Sequence, residues 1–391
     1  MIRSTAPARP LPPANEPAHH PRMLITEADG KALLAQAAIR VPPGAQTTTA
    51  TPPAIPGPWI VKAQVPAGGR GKAGLIRPAA TRTEVAAALA ALLGATHKSH
   101  RVHACLVEQA VSGAEHYLAI ALDPASNGLR LLHRAAGGID IENTGPLAGT
   151  LLPPDLEAIE AALPALIPHA ATASVAASLA RLVLDRELAL AEINPLFVTA
   201  TTAIAGDAKI VIDLNALSRQ PALTALLDAN PLAYPDAIRK QSSGFDYVEL
   251  DPDGQIGLLT TGAGLSMMLI DELAAAGARP LNFCDIRTSM LRGSPARIVA
   301  ALSWMTARPS LKVILVNIFA GITDLAEFAA LLADALTASA VPVPVIARLI
   351  GRNAAAAAEI LAARAPGVIL EPDLTAALAR TCAAANAWAN A

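Results

Sequence analysis

Apolar and polar positions follow two different rhythms along this chain. From about residue 254, a short apolar run, a polar or glycine-rich connection and an amphipathic helix follow one another five times. "GQIGLLTTGAG" leads into "LSMMLIDELAAAG", "RPLNFCDI" into "SPARIVAALSWM", and "KVILVNIFAG" into "DLAEFAALLADAL". "VPVIARLIG" with "NAAAAAEILAAR", and "GVILE" with "TAALARTCAAAN", complete the series. Strands without a polar face, separated by helices, predict a parallel sheet covered on both sides. Ligands of such sheets collect at the carboxyl ends of the strands. Those ends read "TTGAG", "CDIRTS", "IFAGIT" and "LIGRN", all polar or glycine-rich.

Residues 23–245 lack a simple period and mix hairpins with helices, which predicts an α+β domain. "TEADGKALLAQAAI" reads as an amphipathic helix with Thr26 as N-cap. "WIVKAQVPAGGRGKAGLI" reads as a strand and a loop, "TRTEVAAALAALLG" as a helix and "HACLVEQAV" as a strand. "EHYLAIALDPASNGLRLLHRA" predicts a hairpin turning at Ser126-Asn127-Gly128. Two helices, "LEAIEAALPALIP" and "SVAASLARLVLDR", precede the paired strands "LALAEINPLFVT" and "AKIVIDLNAL". Residues 1–22 are Pro-rich with little to bury, so they are expected to be disordered, with the fold beginning at Met23. They contain no apolar core of a secretory signal and resemble a transit peptide only weakly.

Composition narrows the classes. The 391 residues allow two or three domains. A formal charge of −2 argues against nucleic acid or an anionic membrane as partner. Alanine is the commonest residue in the hydrophobic fraction of 53%, and every long apolar stretch is cut by Pro, Gly or a charge before spanning length. Cys105, Cys284 and Cys382 are far apart, which suits a cytoplasmic protein without a disulfide framework.

Candidate chemistry starts in the loop after Trp59, where Arg70, Lys72 and Arg77 crowd among four glycines. It is not a Walker A sequence, because Pro66 and Ala73 stand where glycine and a hydroxyl are required. A glycine loop beside cations can still cover phosphates with backbone N–H groups. Glu108 and Glu115 flank a short connection, Glu192 and Asn194 share one face of a strand, and Asp213 ends an apolar run. Oxygen ligands on neighbouring strands are what Mg²⁺ beside a nucleotide requires. "TTGAGLSM" lacks the third glycine of a dinucleotide fingerprint, where Met267 stands. A helix is expected directly behind Gly321, Ile322 and Thr323, offering free N–H groups to an anion. His97, His100 and His103 straddle a helix end and a strand start, so they are read as a solvated connection, not a metal site. No histidine follows His169.

Several stretches together resemble the β subunit of the succinyl-CoA synthetase family, ADP-forming acid–CoA ligases. They are "WIVKAQVPAGGRGKAG", "LVEQAVSGAEHY", "GGIDIE", "LALAEINPL", "NALSRQPAL", "GAGLSM" and "LVNIFAGIT", in the family's order across residues 23–391. The resemblance implies an N-terminal ATP-grasp domain over residues 23–245 and a flavodoxin-like, doubly wound domain over residues 246–391. It implies ATP, with Lys62, Gly69, Arg70 and Gly71 on the phosphates and Glu108 and Glu115 as further nucleotide contacts. One residue is missing between those two acids relative to the family. Mg²⁺ would be held by Asn194 and Asp213. The γ-phosphoryl would pass to a histidine of an α-type partner subunit, then to a small-molecule carboxylate, and CoA would capture the acyl phosphate. Gly321, Ile322 and Thr323 would be this chain's contribution to holding the phosphohistidine and the substrate. The absence of a C-terminal histidine fits a hetero-oligomer in which the carrier comes from the partner.

The departures from the family fall mainly on the carboxylate side. Thr261 replaces an asparagine, and Arg287, Thr288 and Ser289 replace glycines, so Thr261 and Arg287 are expected to favour a dicarboxylate other than or besides succinate, with an extra hydroxyl or anionic group, such as malate. The segment after Asp213 is shorter, which lets Asp213 align with a later family aspartate instead. Two other classes stay open: an ATP-grasp ligase joining a carboxylate to an amine, and a non-catalytic partner subunit.

Overall fold

The structure is a computed structural model that describes residues 22–98, 100–137 and 149–387. The segment expected to be disordered therefore lies outside the described residues except for Arg22, as does "GGIDIE" except for Gly137. Contacts divide the chain into two compact units, Met1–Ala233 and Tyr234–Ala391.

The first unit opens with β1 (Arg22–Leu24), α1 (Glu27–Gln36), β2 (Gly44–Thr47), β3 (Trp59–Gln64), β4 (Ile76–Ala79) and α2 (Arg82–Leu92). A small hairpin, β5 (Thr96–His97) with β6 (His100–Arg101), leads into β7 (Ala104–Gln109), β8 (Ala114–Asp123) and β9 (Gly128–Arg134). His97 and His100 pair across that hairpin, and His97 Nε2 lies 3.0 Å from the Gly68 carbonyl oxygen. The unit continues with β10 (Gly149–Leu152), α3 (Leu156–Leu166), α4 (Ala170–Asp185), β11 (Leu188–Val198), β12 (Ala203–Ala205), β13 (Lys209–Asp213) and α5 (Pro221–Ala229).

Two antiparallel sheets result. One runs β2-β7-β3-β4, and α2 closes it by packing Val85, Leu89 and Leu92 on Val61, Ala63 and Val107. The other runs β1-β13-β11-β8-β9-β10, with β12 also on β11. Local chemistry matches the expectations: Thr26 caps α1 by accepting from the Asp29 N–H, and β8 and β9 are joined through Asn127 in a left-handed conformation. In β11 the ladder to β8 slips by one residue between Ile193 and Leu196. Pro195 has no N–H to donate there, and such a bulge re-aims the neighbouring side chains.

The second unit holds α6 (Pro235–Ser243), β14 (Asp246–Glu249), β15 (Ile256–Thr260), α7 (Ala263–Ala275), β16 (Asn282–Asp285) and α8 (Ala296–Thr306). It ends with β17 (Val313–Ala320), α9 (Leu325–Ser339), β18 (Val345–Gly351), α10 (Ala354–Arg364), β19 (Val368–Leu370) and α11 (Leu374–Ala387). Four of the five expected strands form the parallel sheet β15-β17-β18-β19. The fifth, β16, pairs antiparallel with β14 and is joined to β15 by main-chain bonds and two side chains, Asn282 and Thr260, whose hydroxyl donates to the Cys284 carbonyl. Asn282, fully buried, accepts from the Leu258 N–H and donates to the Leu258 carbonyl, both at 2.9 Å. Main-chain bonds from Leu281 to Ile256 and from Ile286 to Thr260 flank this contact. With β16 counted beside β15, the spatial order is that of a flavodoxin-like sheet, whose switch point lies between β15 and β17.

Asn282→Leu keeps the volume but orphans two buried backbone groups, each worth about 1–3 kcal/mol. The second unit's denaturation transition is expected to drop by about 2–4 kcal/mol in urea titrations. An unshifted midpoint would remove Asn282 from this role.

Candidate functional site

A cleft of about 790 Å³ opens in the first unit. Lys62 of β3 and the following Gly69, Arg70 and Gly71 form one wall, with Glu108 of β7. Glu115 of β8, Asn194 of β11 and the segment Gly206–Lys209 form the other. Seven residues singled out in the sequence thus converge: Lys62, Gly69, Arg70, Gly71, Glu108, Glu115 and Asn194 all line it.

Its floor is a cluster of buried charges. Lys62 Nζ lies 2.6 Å from Glu27 Oε1, 2.8 Å from Glu108 Oε2 and 2.7 Å from the Gly206 carbonyl oxygen. Lys31 Nζ, one helical turn beyond Glu27, meets the same three residues at 2.8, 2.6 and 2.9 Å. Arg70 Nη2 reaches Glu27 Oε2 at 2.7 Å and Asp207 Oδ1 at 3.1 Å. Three cations face three carboxylates, so the floor is neutral, and each ammonium has an acceptor for each of its protons. Gly206 is glycine for a steric reason: a Cβ there would come within 2.4 Å of the Phe197 ring.

The titration behaviour follows from this packing. Burial alone would raise the Glu27 carboxyl, whose side chain is 0% exposed, but Lys31, Lys62 and Arg70 hold it well below the usual carboxylate range. Burial would lower the Lys62 ammonium, and Glu27, Glu108 and Asp207 raise it instead. Asp207, 29% exposed at the side chain, still loses water to the cleft walls. That desolvation and the charge of Glu27 push its carboxyl up against the pull of Arg70.

Asp213 is not part of this cleft. It ends β13 opposite Arg22 of β1, and its Oδ1 accepts from the Asn215 N–H at 2.8 Å. The antiparallel register pairs Lys209 with Glu192, which brings the start of β13, not its end, towards Asn194. Asp207, just ahead of that strand, therefore supplies the acid at the cleft wall. Sequence reasoning passed over Asp207, although Gly206-Asp207 directly precedes the apolar run. It also missed Glu27 and Lys31, because an acid and a base four apart on a helix ordinarily form a solvated surface pair. Asn194 and Asp207 are hard oxygen donors on adjoining segments, a set that suits Mg²⁺.

The remaining candidates sit in the second unit, at the carboxyl ends of its strands. Gly321, Ile322 and Thr323 form the loop between β17 and α9, and Ile322 is 91% exposed. The expected free helix N-terminus is not free. Asp324 caps α9, accepting from the Ala326 and Glu327 N–H groups, because the helix starts at Leu325 and not directly behind Thr323. Thr323 Oγ1 instead lies 2.7 Å from Thr288 Oγ1. Arg287 adopts a left-handed conformation and its guanidinium pairs with Asp246 at 2.7 Å, so its charge is compensated inside the unit. Thr261 follows β15, and the adjacent Gly262 N–H donates to Asp285 at the end of β16.

Comparison with known proteins agrees with this layout. Residues 24–146 match the ATP-grasp domain family and residues 259–382 the CoA-ligase family. The ADP-forming succinate–CoA ligase β subunit of Chloroflexus aurantiacus is 38% identical over 325 residues, covering 79% of this chain and 84% of the relative. That of Rubrobacter xylanophilus is 34% identical over 367 residues, covering 88% and 94%. The chain belongs to the succinate–CoA ligase β-subunit family. Its fold is that of an ATP-grasp domain followed by a CoA-ligase domain. ATP citrate lyase from Methanothrix soehngenii, solved with citrate and coenzyme A, has a similar fold. The TM-score is 0.67 over 93% of this chain and 100% of that one, at 18% identity. Among the described residues, no helix of this family member is long and apolar enough to cross a membrane.

Glu27→Gln removes one buried charge and leaves three cations without their shared partner, a loss on the order of 3–5 kcal/mol of stability. A depressed carboxyl contributes fully above its unfolded value, about 4.3, and the contribution fades as pH falls through the folded value. The gap between wild type and variant in denaturant titrations is therefore expected to be flat at neutral pH and to close in acid. A gap that widens below about pH 4 would contradict the assignment.

Proposed function

We propose that this chain is the nucleotide-binding subunit of an acid–CoA ligase that uses ATP to form an acyl-CoA from a dicarboxylate such as succinate. The observation that carries the reading is the first-unit cleft, where a glycine loop, Lys62 and Arg70 stand across from Asn194 and Asp207. Lys62 and Arg70 would neutralise the phosphates of the nucleotide, and each must first loosen its hold on Glu27 to do so. The neutral floor thus keeps two cations ionised and ready in a site shielded from water. Glu108 and Glu115, at the floor and mouth of the cleft, would contact the rest of the nucleotide.

Mg²⁺ would be held by Asn194 and Asp207, and when bound it supplies charge neutralisation at the transferring phosphate. Burial and the charge of Glu27 raise the Asp207 carboxyl from its usual value, a penalty that a bound cation would offset. The phosphoryl group would leave this chain for a histidine of an α-type partner, since the chain carries none after His169. Thr261 and the loop Gly321–Thr323, which follow the carboxyl ends of the adjacent strands β15 and β17, are the segments that would meet the partner and the acid. The CoA-ligase match over residues 259–382 favours this reading over an ATP-grasp ligase that joins a carboxylate to an amine.

The isolated chain is expected to bind Mg-ATP, measured by calorimetry, and to form no acyl-CoA until an α-type subunit is added. Turnover by the isolated chain would overturn the two-subunit reading. In the assembled enzyme, Asp207→Asn should raise the Mg²⁺ concentration needed for half-maximal rate by at least about tenfold, since even outer-shell losses cost that much. Asp213→Asn should leave the Mg²⁺ titration where it was, and the reverse pattern would return the metal to Asp213.

A further inference from the structure

The second unit contains a pocket that the proposed reaction does not use. It measures about 460 Å³, within the range of small-molecule sites, and lies between the end of α6, the turn Met290–Ser294 and the face of α8 that carries Ala296, Arg297, Ala300 and Trp304. Arg292 and Arg297 line it together with Ser294, and Met290, Ala300 and Trp304 supply an apolar wall. Among the described residues, no carboxylate lines it. The acids of α6 and β14 are committed elsewhere: Asp236 to Arg239 at 2.7 Å, and Asp246 to Lys240 and Arg287 at 2.8 and 2.7 Å. Among the described residues, neither Arg292 nor Arg297 is ion-paired.

Arg297 gives the sharper indication. Its Nη1 is enclosed by protein and has no hydrogen-bond partner. A guanidinium cannot shed its proton to relieve that, so Arg297 stays a cation beside the pocket it lines. Its Nη2 lies beside Gly244, where a Cβ would come within 2.9 Å. Gly244 ends α6 in a left-handed conformation, φ 70°, which favours glycine there. Two further features add positive potential. Ser294 Oγ accepts from the Ala296 N–H, which leaves its hydroxyl proton for a ligand. Ala296 itself lines the pocket, so the positive end of α8 borders it behind Pro295, which has no side-chain cap to offer.

We propose that this pocket binds a small phosphate-bearing molecule. Two guanidiniums, a hydroxyl and a helix start, without a competing acid, match a phosphate dianion better than a single carboxylate. The Trp304 and Met290 wall suits an organic group attached to that phosphate, so a phosphomonoester fits better than the free ion. None of the residues involved lines the first-unit cleft, so the proposal stands apart from the nucleotide reading.

The test is calorimetric titration of the full chain with phenyl phosphate and, separately, inorganic phosphate. Wild type is expected to bind phenyl phosphate saturably and more tightly than inorganic phosphate. Arg292→Ala/Arg297→Met should weaken binding at least about tenfold, the loss of charge-assisted contacts to a phosphate. Arg292→Ala alone, on an exposed turn, should fold normally and weaken it severalfold, which keeps the test sound if the double variant does not fold. Equal affinity for the two probes would assign the pocket to the free ion, with the same dependence on the arginines. No saturable binding by wild type, or affinity unchanged in the folded variants, would overturn the proposal.

Discussion

A charge taken out of water must find an opposite charge or a set of dipoles, and the first unit is arranged around that requirement. Glu27 sits at 0% side-chain exposure and is held by Lys31, Lys62 and Arg70 from α1, β3 and the loop after it. Glu108 and Asp207 balance the cations from β7 and from the segment ahead of β13. Removing any one member leaves an uncompensated charge in a poorly solvated place, which costs far more than a surface pair returns. The cluster therefore ties α1 to both antiparallel sheets. Gly206, whose carbonyl serves both lysines, has no room for a side chain because a Cβ there would meet the Phe197 ring.

The same cluster sets the chemistry that the cleft can perform. Lys62 and Arg70 are kept ionised by carboxylates, not by water, so little solvent has to reorganise when a polyanion enters. An incoming phosphate exchanges one set of negative charges for another. Such an exchange is cheap only if the carboxylates find replacement partners, and Lys31 remains beside Glu27 and Glu108 to provide one.

In the second unit the cations at the carboxyl edge are likewise compensated. Arg287 faces Asp246, and Arg352 faces Asp324, which also caps α9. Arg292 and Arg297 stand out against this background because their pocket has no acid. β16 is also held to β15 by a device that hydrophobic pattern cannot reveal, the Asn282 carboxamide standing in for ladder hydrogen bonds.

Local signals in the sequence determined most of the architecture. The repeated apolar strand and helix in the second half, the Thr26 cap and the hairpin at Asn127 depend on neighbours only a few residues away, so they are legible without the fold. The glycine loop, Glu108 and Asn194 were legible as a cation-rich loop and oxygen donors on strands, while the family resemblance assigned their roles and added Lys62. Three matters were decided by tertiary structure alone. The register of β13 against β11 brought Asp207 to the cleft and took Asp213 away, since in an antiparallel pair the two ends of a strand face different surroundings. The role of Glu27 and Lys31 required β3 and β7 to cover them, because burial, not spacing, turns an ordinary helical pair into the floor of a site. The pairing of Arg287 with Asp246 depended on β14 lying antiparallel to β16, a contact across 41 residues that no local pattern encodes.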